Sequence, residues 1–291
     1  MTGAVYDRGY RPYEGRRGTR AAATLALYKA SIRRALGLRR SWRQKVAPFV
    51  LLGVVTIPAI INVGIGYVTR EQGIDRVEIV NYRDYVGYSS ALLLFVAIVA
   101  PDVVCPDRRQ QVLPVMFSRP LVGMDYVIAK VGAIFTILFA FSFLPQCVLF
   151  LGNMLVSDSS FTYFRGHLSV LWQVPVAVFV LSLYYAVIGV AISSLTDRRI
   201  VAGAAIIGLF LVTSVAAGIL TDGTENGSYG ALLNVLAMPV YLRDIVFLGH
   251  IGERSPLGGA AGGGALAAAT YTVITLLGAG VLLWRYRWVE R

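Results

Sequence analysis

Residues 46–68 read VAPFVLLGVVTIPAIINVGIGYV, 23 positions without a charged side chain. An α-helix rises about 1.5 Å per residue, so about 20 residues cross the roughly 30 Å hydrocarbon core of a bilayer. A Lys or Arg at the centre of such a helix costs about 2.5–3.5 kcal/mol on insertion scales. A run this long and uncharged therefore reads as a transmembrane helix. Five more follow: Tyr85–Val104, Val131–Val156, a span within Leu168–Thr196, Ile200–Thr221 and Leu257–Trp284. Only Asp102, near the end of the second run, interrupts the pattern. The last run opens with the glycine-rich stretch Gly258–Gly264.

The composition agrees. Of 291 residues, 56% are hydrophobic and 15% charged, and the mean hydropathy is +0.65. Soluble domains usually carry about 25% charged residues. The balance excludes a disordered chain, a collagen-like repeat and an ordinary cytosolic enzyme, and predicts an all-α polytopic membrane protein with six transmembrane helices. Cys105 and Cys147 stand apart with no CxxC spacing, so they read as small apolar fillers, and no metal site is expected. No signal-peptide h-region is expected before the first run. A further uncharged run, Tyr229–Leu242, has only 14 residues and contains Pro239; Arg243 and Asp244 close it. A re-entrant or interfacial helix fits it better than a span.

The basic residues set an orientation. With the N-terminus inside, segments 1–45, 105–130, 197–199 and 285–291 hold 21 of the 27 Lys and Arg. The positive-inside rule then places both termini in the cytoplasm. The first 45 residues alone hold 12 of these charges. They form a cytoplasmic arm, and residues 46–291 form the transmembrane domain. From about Ala21 to Lys45 the arm is helix-friendly. Leu25, Tyr28, Ile32 and Leu36 recur on one face, with Lys29, Arg33, Arg34 and Arg40 elsewhere around it. Arg39 and Arg43 rotate back onto the apolar face. This pattern predicts an interfacial amphipathic helix in the headgroup layer, Tyr28, Ile32, Leu36, Arg33 and Arg34 being its contact residues. Because the basic run abuts a span, lipid rather than nucleic acid is its expected partner.

Residues 101–130 read PDVVCPDRRQQVLPVMFSRPLVGMDYVIAK. A dense polar run, Asp107 to Gln111, precedes Val112, Leu113, Val115, Met116 and Phe117, and then Ser118–Arg119–Pro120. Such a segment can form a short surface helix that docks a soluble partner. No catalytic constellation accompanies it. The three lysines, Lys29, Lys45 and Lys130, follow Tyr, Gln and Ala, so no P-loop exists. HExxH and GxSxG are absent, and His167 and His250 read as ordinary loop residues. Within the spans, Asn62, Gln146 and Asn153 are candidate substrate-path groups, with interhelical hydrogen bonding as the other reading. Pro48, Pro58, Pro145 and Pro175 predict kinks.

The 101–130 segment resembles that of the ABC-2 type permeases, the membrane halves of ATP-binding-cassette exporters with a type V fold. In that family the second span is followed by an acidic residue with Arg, a Gly-Thr-Leu-like stretch, then Ser-Arg-Pro and an aromatic before Lys or Arg. Asp107 with Arg108, Val112 with Leu113, Ser118–Arg119–Pro120, Tyr126 and Lys130 match. Gln111–Val112 stands where a Gly-Thr pair is common. The opening Tyr6–Asp7–Arg8–Gly9–Tyr10–Arg11, with Tyr13 and Gly15, is similar to the N-terminus of one branch. The resemblance implies a permease that pairs with a second permease, identical or homologous, and is driven by two ATPase subunits that bind ATP and Mg. Residues 105–117 would be the coupling helix, with Asp107, Arg108, Arg109, Gln110, Leu113, Met116 and Phe117 meeting the ATPase. Region 222–256 would hold re-entrant exoplasmic helices, over Tyr229–Leu242 and Ile245–Gly249. A membrane scaffold or signalling subunit that binds a soluble partner without transport is the alternative, and the substrate stays open.

Overall fold

A computed structural model of the chain describes residues 18–38, 42–71, 81–86, 89–117, 121–157, 159–223, 227–252 and 255–287. Among the described residues every regular element is helical. Six helices are long and apolar enough to span a membrane, and the chain is an all-α, multi-pass membrane protein. In chain order the elements are α1 (Arg20–Ala35), α2 (Trp42–Glu71), α3 (Tyr82–Tyr85), α4 (Ser89–Arg109), α5 (Leu113–Phe117) and α6 (Gly123–Val156). Then come α7 (Ser160–Gly166), α8 (Leu168–Leu195), α9 (Arg199–Gly223), α10 (Met238–Leu248) and α11 (Gly263–Arg287). Helices α2, α4, α6, α8, α9 and α11 are the spans.

Burial divides the spans. In α4 and α8 about seven residues in ten of the apolar stretch are buried, whereas in α2, α9 and α11 only about one to two in ten are. The two central helices therefore carry the core: Phe95, Val96, Ala100 and Val103 on α4 meet Leu181, Tyr184, Tyr185 and Ile188 on α8. The outer helices keep their apolar faces for lipid; Ile200, Val212 and Ile219 on α9 are each more than two-thirds exposed. That is the reverse of a soluble bundle and is expected where the solvent is hydrocarbon. At Gly203 the α9 backbone comes so close to α4 that a Cβ would lie 2.8 Å from the Ala97 carbonyl oxygen. A small residue is required there.

The bundle has two distinct ends. One, the arm end, gathers α1, α5, the end of α8 and the start of α9. Here Arg199 pairs with Asp102 at 2.6 Å, which gives the one exception in the second apolar run a partner. The other, the hairpin end, gathers α3, α7 and α10. The described parts of segments 1–45, 105–130, 197–199 and 285–291 meet at the arm end through Arg34–Asp107, Arg199–Asp102 and Tyr126–Tyr286.

Several expected boundaries move. The first span starts earlier, at Trp42, and α4 runs on to Arg109. Helix α6 starts at Gly123 rather than Val131, so Asp125 and Lys130 lie inside it. A search for uncharged runs stops at Lys130, but this ammonium is paired within the protein and the helix continues through it. At 34 residues α6 is roughly 51 Å long, well beyond the hydrocarbon thickness. Only the last two residues of the Gly258–Gly264 stretch open the last span. Pro256–Gly259 forms a 3-10 turn, and α11 begins at Gly263. Every helix with an internal proline, at Pro48, Pro58, Pro145 or Pro175, continues on both sides of it.

The arm helix is shorter than the expected Ala21–Lys45. It starts on the Thr19 cap and ends at Ala35, where Gly37 adopts φ +65° and its N–H and that of Leu38 bond back to Arg34 and Arg33 carbonyls. Its packed face is also rotated. Ser31 and Ala35 are buried, Tyr28 donates or accepts a 2.8 Å bond with Thr136 of α6, and Ile32 and Leu36 are partly buried. Leu25 is half exposed. Arg34 turns inward, while Arg33 and Lys29 remain exposed. Side chains of α6 and α4, rather than lipid alone, choose the face. Arg39 and Arg40, and the Arg43 side chain, lie outside the described residues.

Between α9 and α11 the chain folds into a half-span hairpin. A 3-10 turn over Gly227–Leu233 leads to Asn234, whose side chain accepts from the Ala237 N–H, and α10 returns. The Tyr184 and Tyr185 hydroxyls of α8 donate to the Val235 and Leu236 carbonyls at 2.8 and 3.1 Å. Tyr184 is sixteen residues past Leu168, about 24 Å along α8, so the tip reaches deep into the bundle. Helix α10 does not stop at Arg243–Asp244, where the apolar run was expected to close. It passes through them, because both are buried and answer each other at 2.7 Å, with Arg243 also donating to the Val86 carbonyl. Burial and then the neighbouring Asp244 push the Tyr241 phenol above its usual range.

Candidate functional site: a buried charge cluster behind the α4–α5 turn

The last turn of α4 carries the site. Asp107 is fully buried, and so is Lys130 two turns into α6. The Lys130 ammonium lies 2.6 Å from Asp107 Oδ2 and donates to the Val103 carbonyl at 3.0 Å. The Tyr126 hydroxyl donates to the same carboxylate oxygen at 3.0 Å. Arg34 of α1 donates to the other oxygen, Oδ1, in a short ion pair. Tyr126 and Lys130 are four apart on α6, so both face α4. The Lys130 ammonium stands 5.3 Å from the Tyr126 ring centroid, and that ring packs against Tyr286 of α11 at 4.7 Å. One carboxylate thus holds α1, α4 and α6 together, and Tyr126 extends the contact to α11.

The next residue ties in α8. Arg108 donates to the Ser194 carbonyl, and the Cys105 thiol contacts the Ser193 carbonyl at 3.6 Å. The chain then reverses. Gln110 still bonds to Pro106, but Gln111 takes φ +50° and Val112 bonds back to Asp107. Helix α5 follows for five residues. Its Leu113 is buried and Met116 packs on the core. Arg109, Gln110, Gln111 and Pro114 form the exposed tip. Helix α6 then begins where Asp125 accepts from the Val122 N–H and from Arg20 of α1.

The expected single helix over 105–117 is therefore two pieces, the end of α4 and the short α5. A helix cannot carry the left-handed residue at Gln111 without ending. Gln111 holds this conformation at a cost, since φ > 0 is nearly free only for glycine. Of the residues expected to meet a partner, Arg109 and Gln110 are on the surface. Asp107 and Leu113 are inside, and Arg108 is turned to α8. The Phe117 side chain, Ser118–Arg119–Pro120 and the Tyr6–Arg11 motif lie outside the described residues.

The three candidate path residues are all buried. Two of them meet. Gln146 donates to the Tyr82 carbonyl at 3.3 Å and Asn153 donates to the Tyr82 hydroxyl at 3.2 Å, which also bonds Tyr163 at 2.7 Å. Asn62 sits on α2 beside Ala59 and Val63, which pack on Leu149 and Tyr82. These contacts are at the hairpin end and do not touch the charge cluster. His167 stacks on Tyr163 at 4.0 Å, and His250 contacts the Ile251 carbonyl. Among the described residues no three metal-binding side chains come together.

Reading the sequence alone misses the cluster's core. Lys130 looks like a loop charge and Arg34 like a surface one. The available signal is the i, i+4 placement of Tyr126 and Lys130 one short loop after Asp107. No family model matches the sequence, and no curated protein matches it. The class is the one the fold defines: an all-α polytopic membrane protein with six spanning helices.

Proposed function

We propose that the chain is the permease subunit of an ATP-binding-cassette exporter of the ABC-2 type, moving a substrate outward with energy from a separate ATPase. The observation that carries the reading is the α4–α5 turn. Its tip, Arg109 and Gln110, is exposed, and the residue just behind it, Asp107, is locked to α1, α4 and α6. Arg108 extends the lock to α8. A partner that pushes the tip moves four helices at once, which is what a device for transmitting force from a soluble motor requires. The motif around Asp107 and Lys130 and the basic arm support the same reading.

On this reading two ATPase subunits bind ATP and Mg, a second permease completes the path, and both termini face the cytoplasm of a cell membrane. The half-span hairpin would then open on the outer side. Mild-detergent purification with mass spectrometry of co-eluting proteins tests it. A stoichiometric P-loop ATPase, kept by the wild-type chain and lost in Arg109→Glu/Gln110→Glu, is the expected result. No ATPase, under conditions that preserve other membrane complexes, would move the weight to a scaffold subunit.

A further inference from the structure

A cleft of about 310 Å³ lies between α6 and α8 at the hairpin end, far from the charge cluster. Its walls are apolar: Phe143, Phe150, Leu171, Val174 and Pro175. Leu171 and Leu151 on its rim are about half exposed, so it opens sideways, between two spans, toward the lipid. Tyr82, Cys147 and Gln146 bring polar atoms to the wall; the Tyr82 hydroxyl is already bonded to Tyr163 and Asn153, and Gln146 is only 2% exposed. Its Nε2 is used on the Tyr82 carbonyl. Its carbonyl Oε1 is buried with no hydrogen-bond partner among the described residues. The site thus has one acceptor and an apolar body, and a buried acceptor left unpaired costs about 1–3 kcal/mol.

We propose that this cleft binds one membrane-dissolved amphiphile: a single alkyl chain, or an apolar body of similar size, carrying a hydroxyl or N–H that donates to Gln146 Oε1. Its volume is at the small end for ligand sites, roughly 300–1,000 Å³, and suits one chain rather than a whole two-chain lipid. The apolar hollow under α6 and α11 is larger, but its wall offers no polar group to orient a ligand. The inference stands apart from the transport reading, since binding needs no ATPase and no second permease.

The test uses the full chain in lipid nanodiscs with two probes, a diazirine-bearing hexadecanol and its methyl ether, which keeps the chain and removes the donor. Cross-links read by mass spectrometry should concentrate on residues 143–151 and 170–175. The alcohol should label them about three- to tenfold more than the ether, the worth of one hydrogen bond. Gln146→Leu should abolish that preference while ether labelling persists, and Leu171→Trp should reduce both. Equal labelling by alcohol and ether in the wild type would overturn the proposal, as would labels spread evenly over the exposed faces of α2, α9 and α11. If Gln146→Leu does not fold, the wild-type comparison of the two probes decides alone.

Discussion

Removing Lys130 tests the charge cluster most directly. Its ammonium is 2.6 Å from Asp107, both groups are buried, and at an effective dielectric near 20 the attraction is about 6 kcal/mol. Desolvation of the two ions offsets most of that, several kcal/mol each, so the pair's net contribution is small. A single-sided change keeps the desolvation and loses the attraction. Lys130→Met should therefore destabilise by about 3–5 kcal/mol, the usual effect of unpairing a buried charge. Asp107→Asn should be the harsher change, because Lys130 would keep only neutral acceptors and no anion, whereas Asp107 without Lys130 still has Arg34 and Tyr126. In detergent, fluorescence-monitored melting should fall by on the order of 10 °C for either variant. The double variant should be less damaged than the two singles predict, with a coupling of about 1–3 kcal/mol. Arg34→Ala should leave most of the stability in place, since Arg34 is one-third exposed, but should raise hydrogen exchange in α1. Additive singles, or an unchanged melt in Lys130→Met, would refute the argument that Asp107 is held by this pair.

Three further outcomes follow from the same geometry. Arg109→Glu/Gln110→Glu should leave the melting temperature within about 2 °C of wild type, while Arg108→Glu should lower it, because only Arg108 donates into α8. Gln111→Gly should raise stability by about 1 kcal/mol by relieving the left-handed backbone, and a large loss in the same melt would contradict that. Gly203→Val should push α9 off α4 and cost about 1–3 kcal/mol, read as a lower melt and faster proteolysis between α8 and α9; an unchanged melt would mean the close approach at Ala97 is not required.

The spans were legible because their signal is the absence of charge over about 20 positions, which no tertiary contact can imitate. The signal fails where a charge is buried with its partner. Lys130 hid the first two turns of α6, and Arg243–Asp244 hid the continuity of α10. The arm's apolar face failed for a related reason: helical spacing ranks Leu25 with Tyr28, but α6 presents Gly132 and Thr136 to Tyr28 and leaves Leu25 outside. The Asp107 site was half legible. Its position and exposed neighbours follow from the polar run, whereas the inward turn of Asp107 depends on residues from two other helices, α1 and α6.

The Asp107–Lys130 pair also bears on how the chain is made. Asp107 leaves the ribosome 23 residues before Lys130, which at about 5–20 residues per second is one to several seconds. During that interval Arg34 of α1 is already available to Oδ1, but Oδ2 has neither the Lys130 ammonium nor the Tyr126 hydroxyl to meet. The buried contacts that close the end of α4 are therefore completed only when α6 has been made.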